Sequence, residues 1–343
     1  MMFYILNILS GVLEVGYMAW AIREGYDFWV LLLFPFAYQL GNLFPKPFSV
    51  GKIPLKVLSA LSLVTSCAAP FIDLGKIGSV ALLCFNICAI SIIIQSVRCG
   101  MKTNDNRKGK RITRVSGFVL APFCALSPFV LMLLFSMVAF AALRGYQGKY
   151  AVVKMKRQKS FGAIMVFHQL HYFFYVYPAL AAVALMYAGK DLSFPDIFLS
   201  YVLFAVTWIT YMIVEPCLKK RLPSLPVFYT GHLGIVILLL VMSFMDVSNL
   251  WFLVLWIVMG SCGGTVYTIY IEADKLNARD EDSMTVCENI GHITGIIVAL
   301  VLSFFYAGDA LNITFRLSSA SALTAIALMT LAVFGKKHKN KEE

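Results

Sequence analysis

Residues 167–178 read FHQLHYFFYVYP, and the chemistry in that stretch is carried by His168 and His171. The two imidazoles stand three apart, so in a helix they share one face; Tyr172 and Tyr175, each four residues beyond a histidine, extend it. A neutral imidazole can take and release protons near physiological pH or ligate a metal. Aromatic rings can sandwich a flat or cationic ligand. The same residues also make a plain aromatic wall closed by interhelical hydrogen bonds. Lining of a ligand cavity is the leading reading, ahead of proton coupling and metal ligation.

Glu14 is the only acid near the middle of an apolar run, with Asn7, Tyr17 and Trp20 close by in sequence. Ionisable groups are expensive in hydrocarbon and mark function by default. Glu14 can bind a proton or the cationic group of a substrate, or serve as a hydrogen-bonded packing residue. Further on, CENIGH places Glu288 and His292 four apart on one helix face. At 1.5 Å per residue from the starts of their spans, His168 and His292 lie at similar depths, about 10–12 Å in. A metal set of His168, His171, Glu288 and His292 is therefore conceivable if the two helices touch. The competing reading puts Glu288 in a charged gate beside Glu272, Asp274 and Lys275, and treats His232 and Glu215 as interfacial. Tyr38, Gln39, Asn86, Gln95 and Tyr267 complete the candidate polar cavity groups. No cation lies deep in an apolar run except Arg316 near one end, which disfavours a strongly anionic ligand. Neither GxxxxGK nor HExxH occurs, so neither nucleotide drive nor a zinc hydrolase is supported.

The elements that must hold these groups are apolar helices. The chain is 60% hydrophobic and 14% charged, with a mean hydropathy of +0.79. Soluble domains carry about 25% charged residues. Continuous apolar runs of span length give an all-α polytopic membrane protein and exclude an alternating barrel pattern. Ten spans are predicted at 3–22, 28–44, 55–72, 77–97, 161–188, 194–215, 226–245, 249–271, 286–306 and 311–335. The net charge of +11 sits in a few loops and reads as topology, not nucleic-acid binding. Loops 45–56, 98–116 and 144–159, the Lys219–Arg221 run and the C-terminal lysines all carry cations, which places them and both termini in the cytoplasm of an inner or plasma membrane. The eight cysteines are scattered and form no CxxC pair.

Two basic loops flank the apolar block 117–143. If both are cytoplasmic, its 27 residues must cross twice or not at all, and two full helices need about 40. With Pro122 and Pro128 inside it, the block is predicted to form a shortened helical hairpin; the rival is one kinked span. About 11–12 transmembrane helices then fall into two pseudo-symmetric bundles. These are residues 1–143 and 161–337, joined by a basic linker at 144–160 and followed by a tail at 338–343.

The segments GSCGGTVYTIYIEADKL (260–276), TVCENIGHITGIIVALVLSFFYAG (285–308) and ITFRLSSASALTAIALMTLAVFGKK (313–337) resemble the tenth, eleventh and twelfth spans of the major facilitator superfamily. LLLFPFAYQLGNLF (31–44) resembles its second. The loop PKPFSVGKIP departs from the family, having no acid and no arginine. The resemblance implies a secondary transporter working by alternating access, with 3–22, 77–97, 161–188 and 249–271 lining its cavity. On that reading Glu14, Tyr17, Tyr38, Gln39, Asn86, His168, His171, Tyr172, Tyr175 and Tyr267 bind substrate, and Glu14 and His171 couple protons. The expected cargo is a neutral, cationic or aromatic-amphipathic small molecule, with export favoured. A proton gradient drives it, and the chain is a cofactor-free, non-enzymatic monomer in the bilayer. A metal-binding membrane protein or metalloenzyme, and a non-transporting receptor or partner subunit on the same fold, are the alternatives.

Overall fold

The computed structural model describes residues 1–45, 50–100, 107–146, 159–188, 193–263, 265–276, 281–306 and 308–342, and every long element among them is a helix. Most of the basic linker, residues 147–158, lies outside the described residues, as do 46–49 and 101–106 of the other basic loops. Side chains of the C-terminal tail also lie outside them. Among the described residues, ten helical stretches are long and apolar enough to cross a membrane, and one more apolar helix, Phe28–Leu43, is shorter. The chain is an all-helical polytopic membrane protein.

The helices divide into two compact units, Met1–Val153 with Tyr187–Ala205, and Lys154–Met186 with Val206–Glu343. Residues 187–205, which sequence spacing assigns to the rear bundle, thus pack with the first unit. The first unit contains α1 (Met2–Arg23), α2 (Phe28–Leu43), α3 (Lys52–Ala68), α4 (Gly75–Gly100), α5 (Arg107–Leu120) and α6 (Pro128–Ala142). A 3-10 helix, Ala121–Ala125, joins the last two. Pro122 sits at the start of that 3-10 turn and Pro128 opens α6, where a proline's missing N–H costs no helical bond.

The predicted hairpin is present, and its first arm begins ten residues earlier than expected. Asn7, Gly11, Gly16 and Tyr17 of α1 meet Thr113, Gly117, Ala121 and Pro128 in turn, so α5 and the 3-10 turn run alongside α1 in the same direction. Tyr146, beyond α6, returns to Gly100 at the end of α4 and donates to the Val50 carbonyl. Fourteen α-helical residues and five 3-10 residues give roughly 21 Å plus 10 Å, close to the ~30 Å hydrocarbon thickness. Part of the basic stretch 98–116 is therefore helix, and Lys110 and Arg114 within it lie along α1.

The second unit contains α7 (Lys159–Ala188), the later part of α8 (Phe194–Arg221), α9 (Ser224–Met242), α10 (Leu250–Gly263), α11 (Tyr267–Lys275), α12 (Glu281–Phe305) and α13 (Ala310–Glu342). The predicted span 249–271 is thus broken, with a turn at Thr265 and Val266 between α10 and α11. The two units repeat one pairing scheme. First and fifth helices cross at glycines: Gly11 against Gly117 in one unit, Gly291 and Gly295 against Val166, Gln169 and Phe173 in the other. Second and fourth helices do the same, with Gly41 on Cys88 and Ser91, and Gly260 on the Thr207 carbonyl. Close backbone approach at small residues is how helices associate where lipid removes the hydrophobic drive.

Candidate functional sites

A polar stripe runs down α1 at helical spacing: Asn7, Ser10 and Glu14, all buried. Asn7 donates to the Thr113 hydroxyl at 2.7 Å and to the Lys110 carbonyl. Ser10 accepts from the Arg98 guanidinium at 3.4 Å. Glu14 forms an ion pair with Arg114 of α5, and Gln39 Nε2 of α2 donates to its Oε1 at 3.3 Å. The Arg114 guanidinium also lies over the rings of Tyr38 and Phe118, at 5.1 and 5.6 Å. Groups from three helices thus converge on one buried charge pair.

This corrects the expectation that no cation enters the bundle. Arg114, counted with a loop by composition, is a helical residue whose side chain is 19% exposed, against 6% for Glu14. The stripe Lys110, Thr113, Arg114, Gly117 at helical spacing in RKGKRITRVSGFVL is the signal that could have found it.

Of the other first-unit candidates, Tyr38 and Gln39 join Glu14. Tyr17 lies a turn away, donating to the Pro128 carbonyl at 3.2 Å. Asn86 belongs to a separate knot. Its Oδ1 accepts from Ser62, Thr65 and Ser66 at 2.7, 3.1 and 3.4 Å, its Nδ2 donates to Leu82, and Ser62 reaches Ser136 of α6 at 2.8 Å. Such bonds fasten α3, α4 and α6. Asn86→Leu removes the acceptor of three hydroxyls at once and is expected to cost about 1–3 kcal/mol. The thermal midpoint in detergent reads this; an unchanged midpoint returns Asn86 to the ligand-binding candidates.

In the second unit His168 and His171 are buried on α7, as their spacing predicts, and are joined there by His232 of α9, which is fully buried. His168 Nδ1 and His232 Nε2 are 2.9 Å apart, and His232 Nδ1 lies 2.9 Å from the Phe228 carbonyl oxygen. Phe228 stacks on the His232 ring at 4.0 Å. From α13, Ser318 and Ser321 donate to the carbonyls of His171 and Phe167, holding this part of α7 in place. His232 follows Ser224 by eight residues and His168 follows Lys159 by nine, which puts both rings about 12–14 Å into their helices. The depth count applied to His292 would have found His232.

Glu288 and His292 do not join the histidines. α12 does face α7, but through Gln169, which donates to Glu288 Oε1 at 3.3 Å and meets His292 Nε2 through its Oε1 at 2.8 Å. The proposed set His168, His171, Glu288 and His292 is therefore replaced by two groups. Tyr172 and Tyr175 turn into an aromatic layer with Trp208 and Phe315. Tyr267 carries the Lys219 ammonium over its ring at 5.8 Å.

No family model and no curated protein matches the chain. Solved structures do share the fold. A peptide transporter POT in complex with sulfate matches with a TM-score of 0.62 at 13% identity, over 96% of this chain and 93% of that one. A bacterial homologue of the iron transporter ferroportin, in an inward-facing state, gives 0.57 at 12% identity over 95% and 97%. A point mutant of the nucleoside transporter NupG gives 0.54 at 11% over 96% and 100%. At such identities the likeness shows the fold alone: that of polytopic membrane transporters, covered along nearly the whole chain.

Proposed function

We propose that the protein is a secondary transporter of the major facilitator type, working by alternating access and driven by protons. The observation that carries the reading is the Glu14–Arg114 pair, a buried carboxylate with a cation from α5 and an amide from α2 on it. The full-length fold likeness supports the transporter class. Two charges in a low-dielectric bundle hold together only while both are charged. A proton on Glu14 neutralises it, ends its ionic hold on Arg114 and so loosens α5 from α1. That is a protonation-sensitive latch between two helices, the kind of two-state element coupling requires.

Because Arg114 is matched by Glu14, its presence does not recruit an anionic cargo. The cargo class remains a neutral, cationic or aromatic small molecule, in the inner or plasma membrane with both termini cytoplasmic. Reconstitution in proteoliposomes tests the class. A panel of labelled nucleosides, dipeptides and aromatic amines is expected to show protein-dependent counterflow for at least one member. Absence of protein-dependent flux across the whole panel, with the protein folded and oriented, counts for the non-transporting alternative.

A further inference from the structure

We propose that His168, His171 and His232 form a binding site for one borderline first-row transition cation, with Zn2+ and Co2+ as its simplest occupants. The inference stands on the geometry of the second unit and is independent of the Glu14 latch.

One ring nitrogen from each of the three histidines lies within 4.8 Å of the other two. A tetrahedral ion with Zn–N bonds of about 2.0–2.1 Å holds its nitrogens roughly 3.3 Å apart. The 2.9 Å between His168 Nδ1 and His232 Nε2 is a little tighter than that. Without an ion His168 Nδ1–H donates to His232 Nε2, so binding requires the His168 hydrogen on Nε2 instead and small ring rotations to the wider spacing.

The hydrogen positions point the same way. A carbonyl oxygen only accepts, so the contact of His232 Nδ1 with the Phe228 oxygen puts the hydrogen on Nδ1. In the neutral ring the lone pair is then on Nε2, the nitrogen turned to His168. An imidazole that donates its far N–H to a backbone carbonyl and presents the other nitrogen inward is the usual arrangement of a metal-bound histidine and its supporting shell. His171 Nδ1 is buried with no hydrogen-bond partner. A ring nitrogen in that state carries a desolvation cost, and each such group in a folded protein calls for an explanation. A cation drawing on the three rings supplies one.

The donor set selects the ion. Three imidazoles without thiolate or carboxylate suit zinc, cobalt, nickel or copper(II), and not Mg2+ or Ca2+, which require oxygen ligands. No further His, Cys, Asp or Glu completes the group among the described residues. The fourth position is therefore left to water or a small anion, as in zinc sites that exchange a ligand, not those that only brace a fold. The anion would also offset the ion's charge in a site lacking an acid.

The test uses tag-free protein in detergent, stripped with chelator, desalted and titrated with Co2+. The expected result is one cobalt per chain with the strong visible absorption of tetrahedral Co2+, displaced by Zn2+ and untouched by Mg2+ or Ca2+. His171→Ala and His232→Ala should each weaken binding beyond the ~10–100-fold that even outer-shell changes cost. The Glu288→Gln/His292→Ala double variant should bind as the parent does. His232→Ala also removes a structural hydrogen bond. His171→Ala touches no Nδ1 bond and serves alone if the former does not fold. The proposal is overturned if the parent retains no stoichiometric cobalt or if His171→Ala binds unchanged. Transfer of the loss to the Glu288/His292 variant overturns it equally.

Discussion

Arg114→Ala is expected to lower the thermal midpoint of the detergent-solubilised protein sharply, and the double variant Glu14→Gln/Arg114→Gln to recover most of the loss. The single change takes the guanidinium away from a carboxylate that is only 6% exposed. Removing one partner of a buried pair costs about 3–5 kcal/mol, whereas replacing both with neutral groups is often close to neutral. The lower end is expected here, because Arg114 keeps 19% of its side chain exposed and water can reach the guanidinium's place. Gln39 remains as a donor to Glu14 in the single variant and an amide partner in the double. Equal losses in the single and double variants would mean that the pair contributes through shape and not charge, and the latch would lose its physical basis.

Gly117→Val should be comparably damaging by a different route. A Cβ at 117 meets the Ile8 carbonyl oxygen and lies 2.8 Å from the Gly11 Cα. These are backbone atoms of α1 and cannot swing aside. The helices must part, and overpacking of this kind costs about 1–3 kcal/mol or more. Gly117 lies three residues from Arg114, so the same displacement pulls the guanidinium from Glu14. Gly263→Ala is the matched control, since nothing stands within 4 Å of a Cβ there. The expected result is a lowered midpoint for Gly117→Val and little change for Gly263→Ala, read side by side by intrinsic fluorescence. Equal midpoints would show that the α1–α5 crossing tolerates separation.

Much of the architecture is legible from the chain because lipid leaves few options. Helices must satisfy their own backbones, so apolar length alone marks most of the spans. The hairpin after the fourth span followed from two basic loops and two prolines. Its starting point did not, because Arg107 to Arg114 look like loop by composition and become helix only through their fit to α1. The α7 face of His168 and His171 follows from spacing within one helix. Its depth along α9 makes His232 a candidate third member, but which helix packs against α7 is a tertiary fact. Gln169 is the clearest case. Nothing about a glutamine between two histidines announces that it, and not they, meets Glu288 and His292. Glu14 was singled out by its depth alone, whereas its partner was hidden in a charge run.

The most direct test of the account is gradient-driven accumulation in proteoliposomes by the parent and by Glu14→Gln, using a substrate identified by counterflow. The parent is expected to concentrate the substrate when a pH gradient is imposed and to stop when a protonophore collapses it. Glu14→Gln is expected to keep counterflow, which needs only the two access states, and to lose concentration against the gradient. Undiminished proton-driven accumulation by Glu14→Gln would contradict the assignment of the Glu14–Arg114 pair as the coupling element.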